Sequence, residues 1–170
     1  FIGFHSAAEL LRRGHKVSGI DNLNDYYDPV HKERRLKVLR AAKDFAFFKG
    51  DICDQKAFAD FYGDTRPTHV LHLAAQAGVR YSLENPLAYI QANGIGFQNM
   101  IELVRHSKPD NFVYASSSSV YGGNKQLPFS ESQNVNNPIS LYAATKIGNE
   151  LVANAYGHLF GIPSTGLRFF

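Results

Sequence analysis

The sequence predicts an α/β fold, a doubly wound parallel sheet with helices on both faces. Two observations carry this. Short apolar runs of strand type alternate with helix-patterned segments along the 170 residues, the order that a covered parallel sheet requires. Polar or small residues then close four of those runs, at Asp21, Asp51, Ala74-Ala75 and Ser116-Ser117. Ligands of such sheets sit outside the carboxyl ends of the strands.

In chain order, residues 4–13 read as a helix, apolar at Ala7, Ala8, Leu10 and Leu11 and stopped by Gly14. Residues 16–20 are a strand ending on Asp21, and residues 22–29 are polar and turn-rich. A helix over 30–42 keeps Leu36, Val38 and Leu39 apolar. Residues 45–49 form a strand closed by Gly50-Asp51, and Asp54 caps a helix running to about Tyr62. A strand over 69–73 leads into Ala74-Ala75-Gln76-Ala77-Gly78. Pro86 opens one long helix reaching about Ser107. Residues 112–115 are a strand running into four serines, and residues 122–138 are a polar loop. Ser140 caps a helix ending at Gly161, and residues 164–169 are a last strand.

Composition excludes several classes. Hydrophobic content of 44% with 19% charged residues is that of a globular chain with a core. The net charge is +3, and the basic residues of 31–43 stand beside acids, which reads as a solvated helix and not a nucleic-acid surface. No apolar run is long enough for a membrane span and no secretory leader is evident. The single Cys53 excludes an internal disulfide and suits a reducing, cytoplasmic setting. The chain starts Phe1-Ile2-Gly3 and stops on Phe170 after a strand-like run, so both ends read as cuts through a longer protein.

The chemistry centres on Tyr142 and Lys146, four apart and so on one helix face. A tyrosine, with a pKa of about 10, is a poor base at neutral pH. A neighbouring ammonium favours its phenolate, and a serine hydroxyl from a strand end can bind the same substrate oxygen. Asp21 falls 18 residues after Gly3. It reads either as a turn aspartate or as an acceptor for a ribose 2′-hydroxyl, the latter favouring NAD over NADP. Asp51 repeats the pattern one strand later. Asn93, a poor helix former, is either a polar kink or a buried hydrogen-bonding post. Arg80 is a loop arginine that is solvated or faces a phosphate or carboxylate. The histidines show no metal-ligand spacing: His69 and His72 point to opposite faces of a strand. No metal is expected.

Taken together, the segments Gly19-Ile20-Asp21-Asn22-Leu23-Asn24, Gly50-Asp51-Ile52, His72 to Arg80, Ser116 to Gly122, Tyr142 to Lys146 and Leu167 to Phe170 resemble the extended short-chain dehydrogenase/reductase family. Within it they look most like the nucleotide-sugar 4-epimerases that act on UDP-glucuronate. The resemblance implies a truncated Rossmann-type sheet. The first strand, normally between those ending at Asp21 and Leu73, would be missing, and two strand edges would be exposed. Residues 1–170 would be a partial NAD-binding domain, and a substrate domain would follow Phe170.

It also implies roles. Tyr142 is the base, and Lys146 is its partner and a ribose contact. Ser117, three residues before Val120-Tyr121-Gly122, is the catalytic hydroxyl. Phe1, Ile2 and Gly3 remain from the phosphate loop. Asp21, Asn22 and Asn24 hold the adenosine ribose region, and Asp51 and Ile52 the adenine. Leu73, Ala74, Ala75 and Asn93 line the cofactor, and Phe170 borders the nicotinamide. Arg80, Ser82, Ser117, Ser118 and Tyr142 meet the substrate. NAD is the implied cofactor, a UDP-sugar the partner and a homodimer the assembly, with little activity expected from these residues alone. The alternatives are a UDP-glucose/galactose epimerase, a nucleotide-sugar 4,6-dehydratase and a non-enzymatic NAD-binding relative. Dehydratases carry Asp-Glu where this chain has Ser118-Ser119.

Overall fold

Glycines, prolines and short polar caps set most element boundaries. The computed structural model describes residues 1–170, in two compact units, Phe1–Thr65 and Arg66–Phe170. The first unit runs α1 (Ile2–Arg12), β1 (Val17–Asp21), α2 (Pro29–Arg40), β2 (Phe45–Lys49) and α3 (Gln55–Thr65). β1 and β2 pair in parallel from Val17↔Phe45 to Asp21↔Lys49, so their carboxyl ends are level. Gly14, at φ 84°, stops α1 in a conformation that glycine adopts without strain. α1 begins at Ile2, earlier than the apolar pattern indicated, so Gly3 lies in its first turn and not in a loop. α2 starts at Pro29, whose missing N–H is no loss there, and the Asp28 side chain accepts from Val30 N. Leu36, Leu39, Ile52, Phe58 and Tyr62 are buried in this unit.

The second unit holds β3 (His69–His72), α4 (Tyr81–Glu84), α5 (Pro86–Tyr89), a π-helical segment (Ile90–Ile95), α6 (Gly96–Ser107), β4 (Asn111–Ser117), a 3₁₀ turn (Ser118–Tyr121), α7 (Leu141–Phe160) and β5 (Ser164–Phe169). Its sheet is parallel in the order β3-β4-β5. Phe97, Ile101 and Val104 of α6, Phe112 of β4 and Ala143 and Ala153 of α7 are almost fully buried. His69 is exposed and His72 buried, on opposite faces as expected. Burial, with the nearby Lys146 charge, pulls His72 down to about 3, so it is a neutral core residue near pH 7.

The α/β class with parallel strands is as the sequence predicts. The strands form two sheets, β1-β2 and β3-β4-β5, and no strand of the chain hydrogen-bonds to both. β1 and β3 each pair on one side only, which is the pair of exposed edges expected.

Four local expectations need correction. The long helix from Pro86 is interrupted at Ile90–Ile95, where Asn93 sits; π turns of this kind mark positions where tertiary bonds compete with the helix ladder. The short helix Tyr81–Glu84 was not anticipated. β4 continues through Ser116 and Ser117, because pairing with Arg168 and Phe169 of β5 overrides the weak strand preference of serine. The remaining serines then turn into the 3₁₀ segment.

That 3₁₀ segment ends on Gly122 at φ 55°, where an added Cβ would run into the Asn137 backbone carbonyl. Gly122→Ala is expected to cost about 2 kcal/mol or more, from the left-handed backbone and the collision together. Urea denaturation of the chain measures it, and a loss below about 0.5 kcal/mol would contradict this account.

Candidate active site

The first unit gathers its polar residues where β1 and β2 end. The Asp21 carboxylate accepts from Leu23 N at 2.7 Å and so holds a turn in which Leu23 takes φ 53°. Asn22 Nδ2 donates to Asp51 Oδ2 at 3.0 Å, and Asn22 Oδ1 accepts from Asn24 N at 3.1 Å. Asp51 Oδ1 accepts from Cys53 N at 2.8 Å. Burial alone would raise the Asp51 carboxyl, but the bonds from Cys53 and Asn22 prevail and hold it below the ordinary range. Lys32 Nζ fixes the loop by donating to the carbonyl and side chain of Asn24, at 2.8 and 2.9 Å. Asp21, Asn22 and Asp51 are exposed, whereas Ile52 is buried. Phe1 and Ile2 are exposed at the start of α1. Asn22, Asn24 and Asp51 are therefore joined by hydrogen bonds at the strand ends with Asp21 next in the chain, while Phe1, Ile2 and Gly3 lie at the start of α1 and Ile52 is buried.

The second unit is organised by α7. Ser140 Oγ accepts from Ala143 N at 3.0 Å and caps its first turn, where Tyr142 lies. Lys146 follows one turn later, 4% exposed, with Nζ donating to the Ala115 carbonyl of β4 at 2.9 Å. Ser117 ends that strand, with its hydroxyl accepting from Ser119 N at 3.2 Å. Tyr142, Lys146 and the serine strand end thus belong to one packed assembly. Ser118 lies in the 3₁₀ turn directly after it.

Burial pulls the Lys146 amine down to about 8 from its ordinary 10.5. The folded chain therefore binds fewer protons here than the unfolded chain between those values. The penalty on folding is full below about pH 8 and is relieved as the pH rises toward 10.5. A Lys146 Cε resonance titrating near 8 is the expected NMR result, and a midpoint near 10.5 would contradict the buried placement.

Asn93, 2% exposed, ties the loop after β3 to α7. Its Oδ1 accepts from Gln76 N at 2.8 Å, and its Nδ2 donates to Gln76 O and to Thr145 Oγ1, both at 3.1 Å. Asn149 Nδ2 donates to the Asn93 carbonyl at 2.7 Å. Of the two readings open from sequence, the buried post is the one observed, and it accompanies the helix irregularity. Tyr89 adds a second support. Its hydroxyl reaches the Ala77 and Gly78 carbonyls at 2.8 and 2.5 Å, and its ring stands edge-on to Tyr142 at 6.1 Å between centroids. Leu73 and the small residues Ala74-Ala75 lead into this braced loop.

Other expected residues lie apart from this assembly or are otherwise engaged. Arg80 is exposed at the head of α4. Ser82 is 1% exposed, and its hydroxyl donates to the Val79 carbonyl at 2.6 Å, which makes it a turn post. Phe170, 88% exposed, stacks beside Tyr121 and Phe129 at 6.3 and 6.1 Å. Sequence reading missed Gln76, Thr145, Glu150 and Arg168. Glu150 had a usable signal, since it falls four residues after Lys146 on the same helix face.

The profile of the family described as GDP-mannose 4,6 dehydratase matches residues 1–170. Protein CapI of Staphylococcus aureus is 51% identical over all of this chain, which covers 51% of that protein. UDP-glucuronate 4-epimerase 3 of Arabidopsis thaliana is 48% identical, again over all of this chain and 40% of the relative. Among solved structures, the UDP-glucuronic acid 4-epimerase from Bacillus cereus in complex with UDP-glucuronic acid and NAD superposes with a TM-score of 0.92. It is 32% identical, with 100% of this chain and 53% of that one covered. The chain spans about half the length of the first curated relatives it matches.

Proposed function

The chain belongs to the GDP-mannose 4,6 dehydratase family, and from that premise we propose that it supplies the NAD-binding and acid–base residues of a UDP-sugar 4-epimerase acting on UDP-glucuronate. The product is UDP-galacturonate. One observation carries the reading: a buried Lys146, one turn from Tyr142, is fastened to the Ala115 carbonyl of β4, two residues before the strand-ending Ser117. Relatives bearing the name UDP-glucuronate 4-epimerase support it across the whole chain.

In this reading Tyr142 is the base that takes the proton of the sugar 4-hydroxyl, with the buried Lys146 amine one turn away on α7. Ser117 donates a hydrogen bond to O4 of the 4-keto sugar. The keto sugar turns over in the pocket so that C4 presents its other face, and Tyr142 returns the proton to O4 once C4 is reduced from that side, which inverts its configuration. NAD, when bound, would supply the acceptor for the C4 hydride and the donor that restores it. The exposed rim of Asp21 and Asn22 offers a carboxylate and an amide to neutral ribose hydroxyls and would repel a 2′-phosphate, which fits NAD. Asn24, Asp51 and Ile52 complete that side. Leu73, Ala74, Ala75, Asn93, Phe170 and the Phe1-Ile2-Gly3 start are assigned to the cofactor, and Arg80, Ser82 and Ser118 to the sugar nucleotide. Asn93 and Ser82 would act there through the segments they hold.

Dehydration at C5 and C6 needs acid–base groups after the catalytic hydroxyl, and Ser118 and Ser119 supply none. A cytoplasmic homodimer completes the proposal. No helix is long and apolar enough to cross a membrane. Leu151 and Leu159 are exposed on α7, as Leu83 is on α4, and a second copy can cover them. Sedimentation at the monomer mass would refute that assembly.

The test uses the product of the complete reading frame, incubated separately with UDP-glucuronate and UDP-glucose. UDP-galacturonate is the expected product. Conversion of UDP-glucose alone would overturn the substrate, and a 4-keto-6-deoxy sugar would overturn the reaction.

A further inference from the structure

Glu150 stands one turn beyond Lys146 and two beyond Tyr142 on α7, and the chemistry above gives it no part. Its carboxylate joins three elements. It accepts from Ser116 Oγ of β4 at 2.5 Å, and from Nε and Nη2 of Arg168 on β5 at 2.9 and 2.8 Å. Arg168 reaches further. Its Nη1 donates to the Tyr121 hydroxyl at 3.2 Å, and its guanidinium lies 5.0 Å from the centroid of the Tyr121 ring. That closes the 3₁₀ turn following Ser117. The Arg168 and Glu150 side chains are only 18% and 17% exposed. A sheltered bidentate pair of this kind holds a fixed geometry, unlike a pair of mobile surface charges. Burial alone would raise the Glu150 carboxyl, but Arg168 and Ser116 prevail and keep it ionised below the ordinary range.

Lys146 and Glu150 therefore grip consecutive residues of β4. Lys146 takes the Ala115 carbonyl and Glu150 the Ser116 hydroxyl. The bonds of Thr145 and Asn149 to Asn93 hold another side of α7 and do not reach β4. Two grips, one turn apart on α7, fix both its height and its rotation against the strand end. We propose that Glu150 is a positioning residue, whose bonds to Ser116 and Arg168 place Ser117 relative to Tyr142 so that both address one sugar oxygen. The purpose of this placement rests on the epimerase reading; the placement itself does not.

The test compares Glu150→Ala and Glu150→Gln with the wild type, each in the product of the complete reading frame. For Glu150→Ala, kcat for the UDP-sugar falls by about 10- to 100-fold, while KM stays within about threefold and bound NAD is unchanged. Glu150→Gln keeps an amide oxygen that accepts from Ser116, and its kcat stays within about fivefold of wild type. Amide hydrogen exchange supplies a readout independent of activity. It quickens at residues 116–121 in Glu150→Ala and stays near wild type in Glu150→Gln. An unchanged kcat in Glu150→Ala overturns the proposal, as does a loss that follows a fall in folded protein or NAD content. If the wild type itself lacks epimerase activity, the functional reading fails. Exchange then decides the placement alone: faster exchange confined to 116–121 supports it, and wild-type exchange overturns it.

Discussion

Tyr142→Phe lowers 4-epimerase turnover of the complete reading-frame product by about 10³-fold, with NAD content close to wild type. The ring is retained, so its edge-on contact with Tyr89 survives. The cap from Ser140 to Ala143 N and the bond from Lys146 to the Ala115 carbonyl do not involve the phenol oxygen. What is lost, in the proposed mechanism, is the group that removes and returns the proton of the sugar 4-hydroxyl. Water at that position would not be held in place by the protein as the phenol oxygen is. Steady-state rates with NAD quantified after denaturation make the comparison. Activity within about tenfold of wild type would remove Tyr142 from the proton-transfer role.

The largest loss of stability is expected from Asn93→Leu. Leucine has the branching and heavy-atom count of asparagine but bulkier methyl groups, so the change removes the hydrogen bonds and adds some crowding. Asn93 is 2% exposed and Gln76 7%, so neither the N–H nor the C=O of Gln76 is readily rehydrated. Thr145 also loses a donor, although its own hydroxyl still reaches the Tyr142 carbonyl at 2.8 Å. An unsatisfied buried group costs about 1–3 kcal/mol, so two of them place the loss at about 3–4 kcal/mol. Urea denaturation of the chain measures it. A loss under about 1 kcal/mol would mean that the loop after β3 relaxes onto other partners.

These two residues show which features were legible in the sequence. The helix carrying Tyr142 was read from Ser140 to Gly161 because both boundaries are local: a serine cap at one end and a glycine at φ 68° at the other. β2 was read to the residue for similar reasons, being an aromatic run closed by Gly50. The π segment at Asn93 was not. Its cause lies in partners at Gln76, Thr145 and Asn149, which are distant in sequence and carry no helical periodicity.

The site divides in the same way. Asp21, Tyr142 and Lys146 are singled out in the sequence by strand ends and helix spacing, and Ser117 within its serine run by the family resemblance. The bond from Asn22 to Asp51 spans 29 residues, and the Arg168–Glu150 pair joins a strand to a helix. Tertiary pairing creates both, and neither residue type announces it. Ser82 shows the converse. A loop serine beside an arginine invites assignment to a ligand, yet its hydroxyl closes the Val79 turn.

The most direct test follows the hydrogen at C4. UDP-glucuronate deuterated at C4 is turned over by the complete reading-frame product with its NAD, and the product is examined by NMR and mass spectrometry. The account predicts UDP-galacturonate with the deuterium still at C4 and no accumulation of NADH. Loss of the label to water, its appearance at another carbon, or NADH accumulating in step with product would contradict the proposed transient oxidation at C4.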